Sequence, residues 1–117
     1  MNIKIVVFVP LTHCDKVRKA IGEAGAGEIG NYSFCSFSSR GIGRFKPNEK
    51  ANPHIGQVNK LEEVEEERIE VICKKEDAKK IVYAIKKVHP YEEIALDVYE
   101  LIDEEKLKWN SHKKSHR

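Results

Sequence analysis

The first strand of this sequence is apolar on both of its faces. Residues 2–9 alternate as a β-strand does, and one face carries four aliphatic side chains: Ile3, Ile5, Val7 and Val9. The opposite face includes Val6 and Phe8, so it is largely apolar as well. A strand of this kind is typical of the centre of a sheet that is covered on both sides. The rest of the chain must therefore provide a cover for each face.

Two amphipathic helices are predicted, and they can cover one of these faces. Thr12 is a good N-cap for the first helix, Asp15 favours the positive end of its dipole, and Gly25 suits the αL position at its end. The second helix is predicted over residues 76–88, and Pro90 prevents it from continuing. Its apolar side chains recur at helical spacing: Ala78, Ile81, Val82, Ile85 and Val88.

Three further strands are predicted, at residues 29–38, 58–74 and 93–102. The segment at 39–57 is rich in glycine, proline and asparagine, which predicts an extended loop or a hairpin. Residues 62–67 include five glutamates. Because neighbouring strand residues point to opposite faces, we interpret this acidic run as a solvated strand extension rather than a cation site.

The order strand, helix, strand, strand, helix, strand predicts an α+β fold, the ferredoxin-like βαββαβ sandwich with an antiparallel sheet and two helices on one face. This domain is expected to span residues 1–102. Residues 103–117 form a charged C-terminal tail, which we expect to begin helically through Leu107 and Trp109. Because both helices cover the same sheet face, we expect self-association to bury the other.

Charge and hydropathy exclude several functional classes. No apolar run approaches the roughly 18 residues of a membrane-spanning helix, and the N-terminus lacks a signal-peptide pattern. We therefore expect a cytoplasmic protein that does not contact membranes. The net charge of +2 arises in the tail, because residues 1–102 contain equal numbers of acidic and basic side chains. A neutral body does not favour binding to nucleic acid.

Several short motifs together resemble one known family. They are Gly25-Ala26-Gly27-Glu28-Ile29-Gly30-Asn31-Tyr32, Cys35-Ser36-Phe37, Gly43, Phe45-Lys46-Pro47, Ala51-Asn52-Pro53, Ile55-Gly56, Arg68-Ile69-Glu70, His89-Pro90-Tyr91-Glu92-Glu93 and Asp97-Val98-Tyr99. The combination is similar to the inserted domain of the Nif-three (YqfO-like) proteins, here expected as a free-standing chain. The resemblance covers roughly residues 3–102 and leaves out the tail.

This resemblance implies a fold similar to the PII signalling proteins and the CutA divalent-cation-tolerance proteins. Members of that wider group commonly form trimers whose ligands occupy clefts between subunits, so a homotrimer is expected. Full-length Nif-three proteins carry a dinuclear metal centre in the domain that flanks the insert. The motifs quoted above do not include that domain, so neither its metal ligands nor a hydrolase activity is carried over.

Four residues with imidazole or carboxylate side chains are candidate metal ligands. Zinc and copper accept nitrogen and oxygen ligands of this kind, and the candidates are His13, His54, His89 and Glu92. They are distant in sequence, so the fold or a neighbouring subunit must bring them together. The alternative is that these histidines are separate surface or hydrogen-bonding residues.

The polar residues that follow the second helix lie at an element boundary, where binding groups often occur. The predicted ligand-binding set combines this stretch with the small polar positions of 31–56: Asn31, Tyr32, Ser36, Asn52, His54, His89, Tyr91 and Glu92. No nucleophile with its base can be identified. We therefore expect a non-enzymatic, small-molecule- or metal-binding regulatory domain acting as a homo-oligomer. The alternatives are a CutA-type divalent metal-binding protein, an accessory subunit of a metal-dependent hydrolase, and an assembly module without a ligand.

Overall fold

The computed structural model describes residues 1–108, which form four strands and two helices. In chain order these are β1 (Asn2–Pro10), α1 (Cys14–Glu23), β2 (Phe37–Phe45), β3 (Glu62–Lys74), α2 (Ala78–Val88) and β4 (Leu96–Glu100). A short 3₁₀ turn precedes each helix, at Leu11–His13 and Lys75–Asp77. Within this part of the chain, neither helix is long and apolar enough to cross a bilayer.

The four strands form one antiparallel sheet in the order β2-β3-β1-β4. The predicted ferredoxin-like α+β fold is thus confirmed. β3 is long enough to pair with β1 from Glu66 to Lys74 and to continue beyond the end of β1. There it pairs only with β2, from Ile42↔Glu65 to Phe45↔Glu62. The β2–β3 hairpin therefore projects from the sheet as a two-stranded ribbon.

One face of the sheet packs against both helices and forms the hydrophobic core. β1 contributes its four alternating aliphatic residues, and the helices contribute the apolar stripes predicted from their spacing. The largest of these core side chains that are fully buried are Ile3, Ile5, Val7, Val9, Val17, Ile21, Ile69, Ile81 and Ile85. Burying one such side chain stabilises the fold by about 1.5–3 kcal/mol. The helix-facing layer is therefore the main source of stability.

The opposite face, here called the open face, is covered mainly by charged side chains. Lys4 bonds Glu70 at 3.2 Å, and the Arg68 Nε donates to the same carboxylate at 3.0 Å. The Arg68 guanidinium also lies 5.9 Å from the centre of the Phe8 ring. Val6 is fully buried in this layer. Side chains of the same chain therefore already cover Val6, so self-association is not needed to bury this residue.

The second strand begins later than the sequence predicts. Residues 29–36 do not form a strand; an isolated bridge joins Ile29 to Tyr32, and β2 begins at Phe37. The reason is local, since Gly27, Gly30 and Phe34 have positive φ angles of 79°, 56° and 59°, which interrupt an extended chain.

The segment predicted as a loop or hairpin at 39–57 is divided between two structures. Its first part belongs to β2, and the connection to β3 comprises residues 46–61. The acidic run lies in β3, as predicted for a strand extension. Gly25, with a φ of 99°, follows the end of α1 as predicted. Thr12 does not cap that helix; its hydroxyl lies 2.7 Å from Nδ1 of His13. The tail, predicted to begin helically, forms a short 3₁₀ turn at Glu104–Lys106, and Trp109 lies outside the described residues.

Candidate ligand-binding cleft

An open cleft of about 740 Å³ lies where the 46–61 connection meets the turn between α2 and β4. Its walls come from β1, β2, β3, the connection and this turn. Aromatic and apolar groups provide part of the lining: Phe8, Phe45, Pro47, Ala51, Pro53, Ile55 and Ala95. Charged groups provide another part: Arg44, Lys46, Lys50, Glu66, Glu92 and Glu93. A concave site with apolar walls and a few polar groups is typical of small-molecule binding.

Three rings surround Tyr91 at the centre of the cleft. The ring centroid of Tyr91 lies 5.0 Å from that of His89, 6.1 Å from that of Phe45 and 6.3 Å from that of His54. All three pairs are tilted rather than stacked face to face, which is a favourable arrangement for aromatic rings. Tyr91 thus joins the turn after α2 to β2 and to the 46–61 connection.

His89 holds this turn against β1. Its Nδ1 accepts a hydrogen bond from the backbone N–H of Tyr91 at 3.1 Å, so the ring proton must be on Nε2, which donates to the Phe8 carbonyl at 2.7 Å. The residue is buried, and burial lowers the pKa of its imidazole, although the bond to the carbonyl opposes this effect. Both ring nitrogens are therefore engaged in positioning Tyr91.

Tyr91 and the buried Glu66 form a polar pair at the base of the cleft. The phenol donates to Oε2 of Glu66 at 3.1 Å, and Glu66 is 8% exposed. Burial first, and then the nearby carboxylate, raise the pKa of Tyr91 well above its usual range, so the phenol remains a donor. Gly43 makes room for this pair, because a Cβ at that position would lie 2.1 Å from Oε1 of Glu66.

A hydrogen bond between two loops closes one side of the cleft. The backbone N–H of Asn52 donates to Oε1 of Glu92 at 2.7 Å. This contact links the 46–61 connection to the turn after α2. Nearby, Arg44 on β2 pairs with Glu63 across the ribbon at 2.8 Å.

The structure brings together part of the predicted ligand-binding set. His54, Tyr91 and Glu92 line the cleft, His89 lies directly behind Tyr91, and Asn52 contacts Glu92. The other three members, Asn31, Tyr32 and Ser36, are exposed on the segment that leaves α1 and do not line this cleft. Their predicted role in ligand binding thus has no support from the cleft geometry.

The predicted metal set is not assembled within one chain. The rings of His13 and His54 are 5.7 Å apart, edge to face, but both nitrogens of His89 have other partners and Glu92 accepts from Asn52. Residues 1–108 contain no group of three or more histidine, cysteine, aspartate or glutamate side chains positioned to hold a metal ion.

Sequence reasoning did not find three of the residues that shape the cleft. Phe8 was predicted only as part of an apolar strand face, Phe45 was named only within a family motif, and Glu66 was interpreted as one of several solvated acids. The alternation of small residues at Ser39, Gly41 and Gly43 was an available signal, since it leaves space on one face of β2. The register then places that space beside Glu66.

Curated relatives match most of this chain, whereas no protein-family profile does. It is 56% identical over 101 residues to a protein of Halalkalibacterium halodurans named GTP cyclohydrolase 1 type 2 homolog, covering 86% of this chain and 27% of the relative. The Bacillus subtilis protein of that name is 51% identical over 96 residues, covering 82% and 26%. The chain thus spans about a quarter of the length of the curated relatives it matches.

Solved structures show the same relationship and extend it to a wider fold group. A Bacillus cereus protein related to NIF3 matches with a TM-score of 0.77 and 51% identity, over 87% of this chain and 26% of that one. The divalent cation tolerance protein CutA of Archaeoglobus fulgidus matches with a TM-score of 0.64 and 15% identity, over 96% and 91%. Bacillus subtilis GlnK, solved with ATP, gives 0.59 and 16%, over 86% and 81%. The matches to CutA and GlnK show a shared fold and nothing more. Together these matches show that the chain is homologous to one segment of Nif-three (NIF3-related) proteins and that it has the PII and CutA type of fold.

Proposed function

We propose that this chain is a small-molecule-binding regulatory domain that acts as a homo-oligomer. The observation that carries the proposal is the cleft, in which Phe8, Phe45 and Tyr91 provide aromatic walls above a buried carboxylate. Aromatic walls favour a ligand with a flat apolar body.

Two lysines at the mouth of the cleft indicate that the ligand carries an anionic group. Lys46 and Lys50 are exposed, line the cleft and form no ion pair within residues 1–108. Lysine side chains of this kind bind carboxylates and phosphates as point charges. Nucleotides therefore belong among the test compounds, and the ATP bound to the GlnK neighbour supports their inclusion.

The chemistry of the cleft favours binding over catalysis. Among the described residues, no serine or cysteine lines it. Tyr91 is held in its protonated form, and His89 uses both ring nitrogens in hydrogen bonds. A nucleophile with an adjacent base is the usual sign of covalent catalysis, and the lining lacks one.

Ligand binding is proposed to act through the 46–61 connection. This segment provides one wall of the cleft and is tied to the opposite turn by the bond between Asn52 and Glu92. A ligand that contacts both sides favours the closed arrangement by its differential affinity. The state of the connection then reports whether the cleft is occupied.

Exposed aromatic residues on the open face support the proposed self-association. Phe37 is 66% exposed on β2 and Tyr99 is 47% exposed on β4, at opposite edges of the same face. The family resemblance favours three copies. We expect light scattering after size exclusion to give a multiple of the 13.4 kDa chain mass, and Phe37→Asp to lower it. Tyr83→Asp, on the helix side, is the matched control. A wild-type monomer at micromolar concentration would contradict this part of the proposal.

A thermal-shift panel of nucleotides and anionic metabolites tests ligand binding. A compound present at about a hundred times its Kd should raise the Tm by about 10 °C. Lys46→Gln at the mouth should reduce that shift, whereas Lys86→Gln on α2, outside the cleft, should preserve it. The proposal fails if no compound raises the Tm, or if both variants respond as the wild type does.

A further inference from the structure

Glu66 lies at the junction of two cavities on the open face. Beside the cleft is a second cavity of about 290 Å³, bounded by Ser39, Ile42 and Arg68. The two share Phe8, Gly43 and Glu66 as lining residues. The Glu66 carboxylate is therefore positioned to be reached by a ligand that enters the cleft.

The charge of Glu66 has no cationic partner within residues 1–108. No lysine, arginine or histidine in this part of the chain forms an ion pair with it. Other acids of β3 do have such partners, since Glu67 pairs with Arg18 and Glu70 with Arg68. Glu66 is nevertheless the most buried acid of the strand. A buried carboxylate without a cation destabilises a protein unless something else compensates for it.

Among residues 1–108, only one oxygen of this carboxylate receives a hydrogen bond. Tyr91 donates to Oε2, and Oε1 lies against Gly43, in the space that a side chain at that position would occupy. Because Gly43 and Glu66 line both cavities and Oε1 is not fully enclosed, this oxygen is an acceptor at the border that the two cavities share. A carboxylate oxygen in this position favours a nitrogen donor, and most strongly a charged one.

We propose that Glu66 is a specificity-determining residue of the cleft and that its Oε1 accepts a hydrogen bond from an ammonium, an amidinium or a ring amino group of the ligand. This inference rests on the proposed ligand-binding function. Combined with Lys46 and Lys50 at the mouth, it describes a planar ligand with a nitrogen donor at one end and an anionic group at the other.

The first test measures the ligand-free protein. Glu66→Gln removes the charge and keeps an acceptor for Tyr91, so its urea midpoint should equal or exceed that of the wild type. Glu65→Gln is the matched control, because Glu65 is the preceding residue of β3, is exposed and points to the opposite face. A lower midpoint in Glu66→Gln alone would show that the protein itself stabilises the charge, and the inference would be wrong.

The second test uses two small planar probes that differ at one end. In NMR titrations, 4-amidinobenzoate carries a carboxylate and an amidinium, and 4-carbamoylbenzoate replaces the amidinium with a neutral amide. The wild type should bind the amidine about tenfold more tightly. Glu66→Gln should abolish this preference, and Glu65→Gln should retain it. Equal affinities in the wild type, no binding of either probe, or an unchanged preference in Glu66→Gln would overturn the assignment.

Failure of the role assigned to Glu66 can be distinguished from failure of the proposed ligand-binding function. A panel compound that binds through the cleft with equal affinity in Glu66→Gln refutes the role of Glu66 and leaves the binding function intact. If Glu66→Gln changes the mass measured by light scattering while the probe preference is unaltered, the carboxylate pairs with a second copy of the chain. That result would also overturn the inference.

Discussion

The two faces of the sheet differ in what buries their central residues. On the helix side, aliphatic residues of β1 pack against apolar stripes from α1 and α2. On the open face, Val6 lies among the Lys4, Glu70 and Arg68 side chains, and Phe8 borders a cleft. Both layers bury the same strand, but only the first resembles a protein interior.

This difference indicates that the two faces of the sheet have different roles. The helix side maintains the fold, because close packing of aliphatic groups is the largest stabilising contribution available to it. The open face contributes less stability and keeps polar groups, including a buried carboxylate, close to solvent. A surface of this kind is suited to binding a ligand or a second copy of the chain.

The largest expected effect comes from a core truncation on the helix side. Ile81→Ala should lower the free energy of unfolding by about 3–4 kcal/mol, since Ile81 is fully buried between α2 and the sheet. Tyr83→Ala on the exposed side of the same helix should cost far less. Urea denaturation measures both. Similar losses in the two variants would show that the helix face is not a close-packed core.

Two adjacent valines compare the faces directly. Val6 and Val7 are both 0% exposed but point to opposite sides of β1. Val7→Ala should cost about 2 kcal/mol and Val6→Ala about 1 kcal/mol, because the long charged side chains on the open face can relax into the space left behind. Equal losses in urea denaturation would indicate that a second copy packs the open face as tightly as the core.

Breaking the hydrogen bond between Tyr91 and Glu66 should have a smaller effect on the free energy of unfolding. Tyr91→Phe leaves the Glu66 carboxylate without its donor and should cost about 1.5 kcal/mol, measured by urea denaturation. Tyr99→Phe, on the same face at the sheet edge, is the matched control and should be nearly neutral. If the two substitutions have the same effect, the hydrogen bond to Glu66 does not stabilise the fold.

The smallest expected effect is a pH dependence that arises from His89. Its pKa in the folded protein lies below the ordinary value of 6.5, so the unfolded chain binds the proton more readily. The stability contribution is fully present above about pH 6.5 and decreases as the pH falls through that value toward the lower folded pKa. Unfolding at several pH values should show this loss, and His54→Gln should retain most of it, because burial is a larger cause of the lowered pKa than the charge of His54. A stability that rises on acidification through this range would contradict the assignment.

The general fold was predictable from periodicity, but the second strand was not. Residues 37–45 include two glycines and three serines or arginines in succession, which are typical of a loop. They form a strand because β3 is long enough to pair with them, and because Glu66 occupies the space that Gly43 leaves. This pairing depends on the strand register, which cannot be read from local sequence patterns.

The cleft was predictable only where its residues are close in sequence. His89, Tyr91 and Glu92 were found together because Pro90 marks an element boundary beside them. Phe8 and Glu66 come from two different strands, and the antiparallel register of the sheet sets their positions. The burial of Glu66 could not be predicted either, because a run of glutamates suggests a solvated surface.

The most direct test of the open face as a binding surface is an amide chemical-shift map. The ¹⁵N-labelled protein is titrated with the panel compound that raises the Tm most. The predicted shifts are concentrated at Phe8, Gly43, Phe45, Glu66 and Tyr91, with little change along α1 and α2. Shifts centred on the helices, or no compound that produces any at the cleft, would contradict the account.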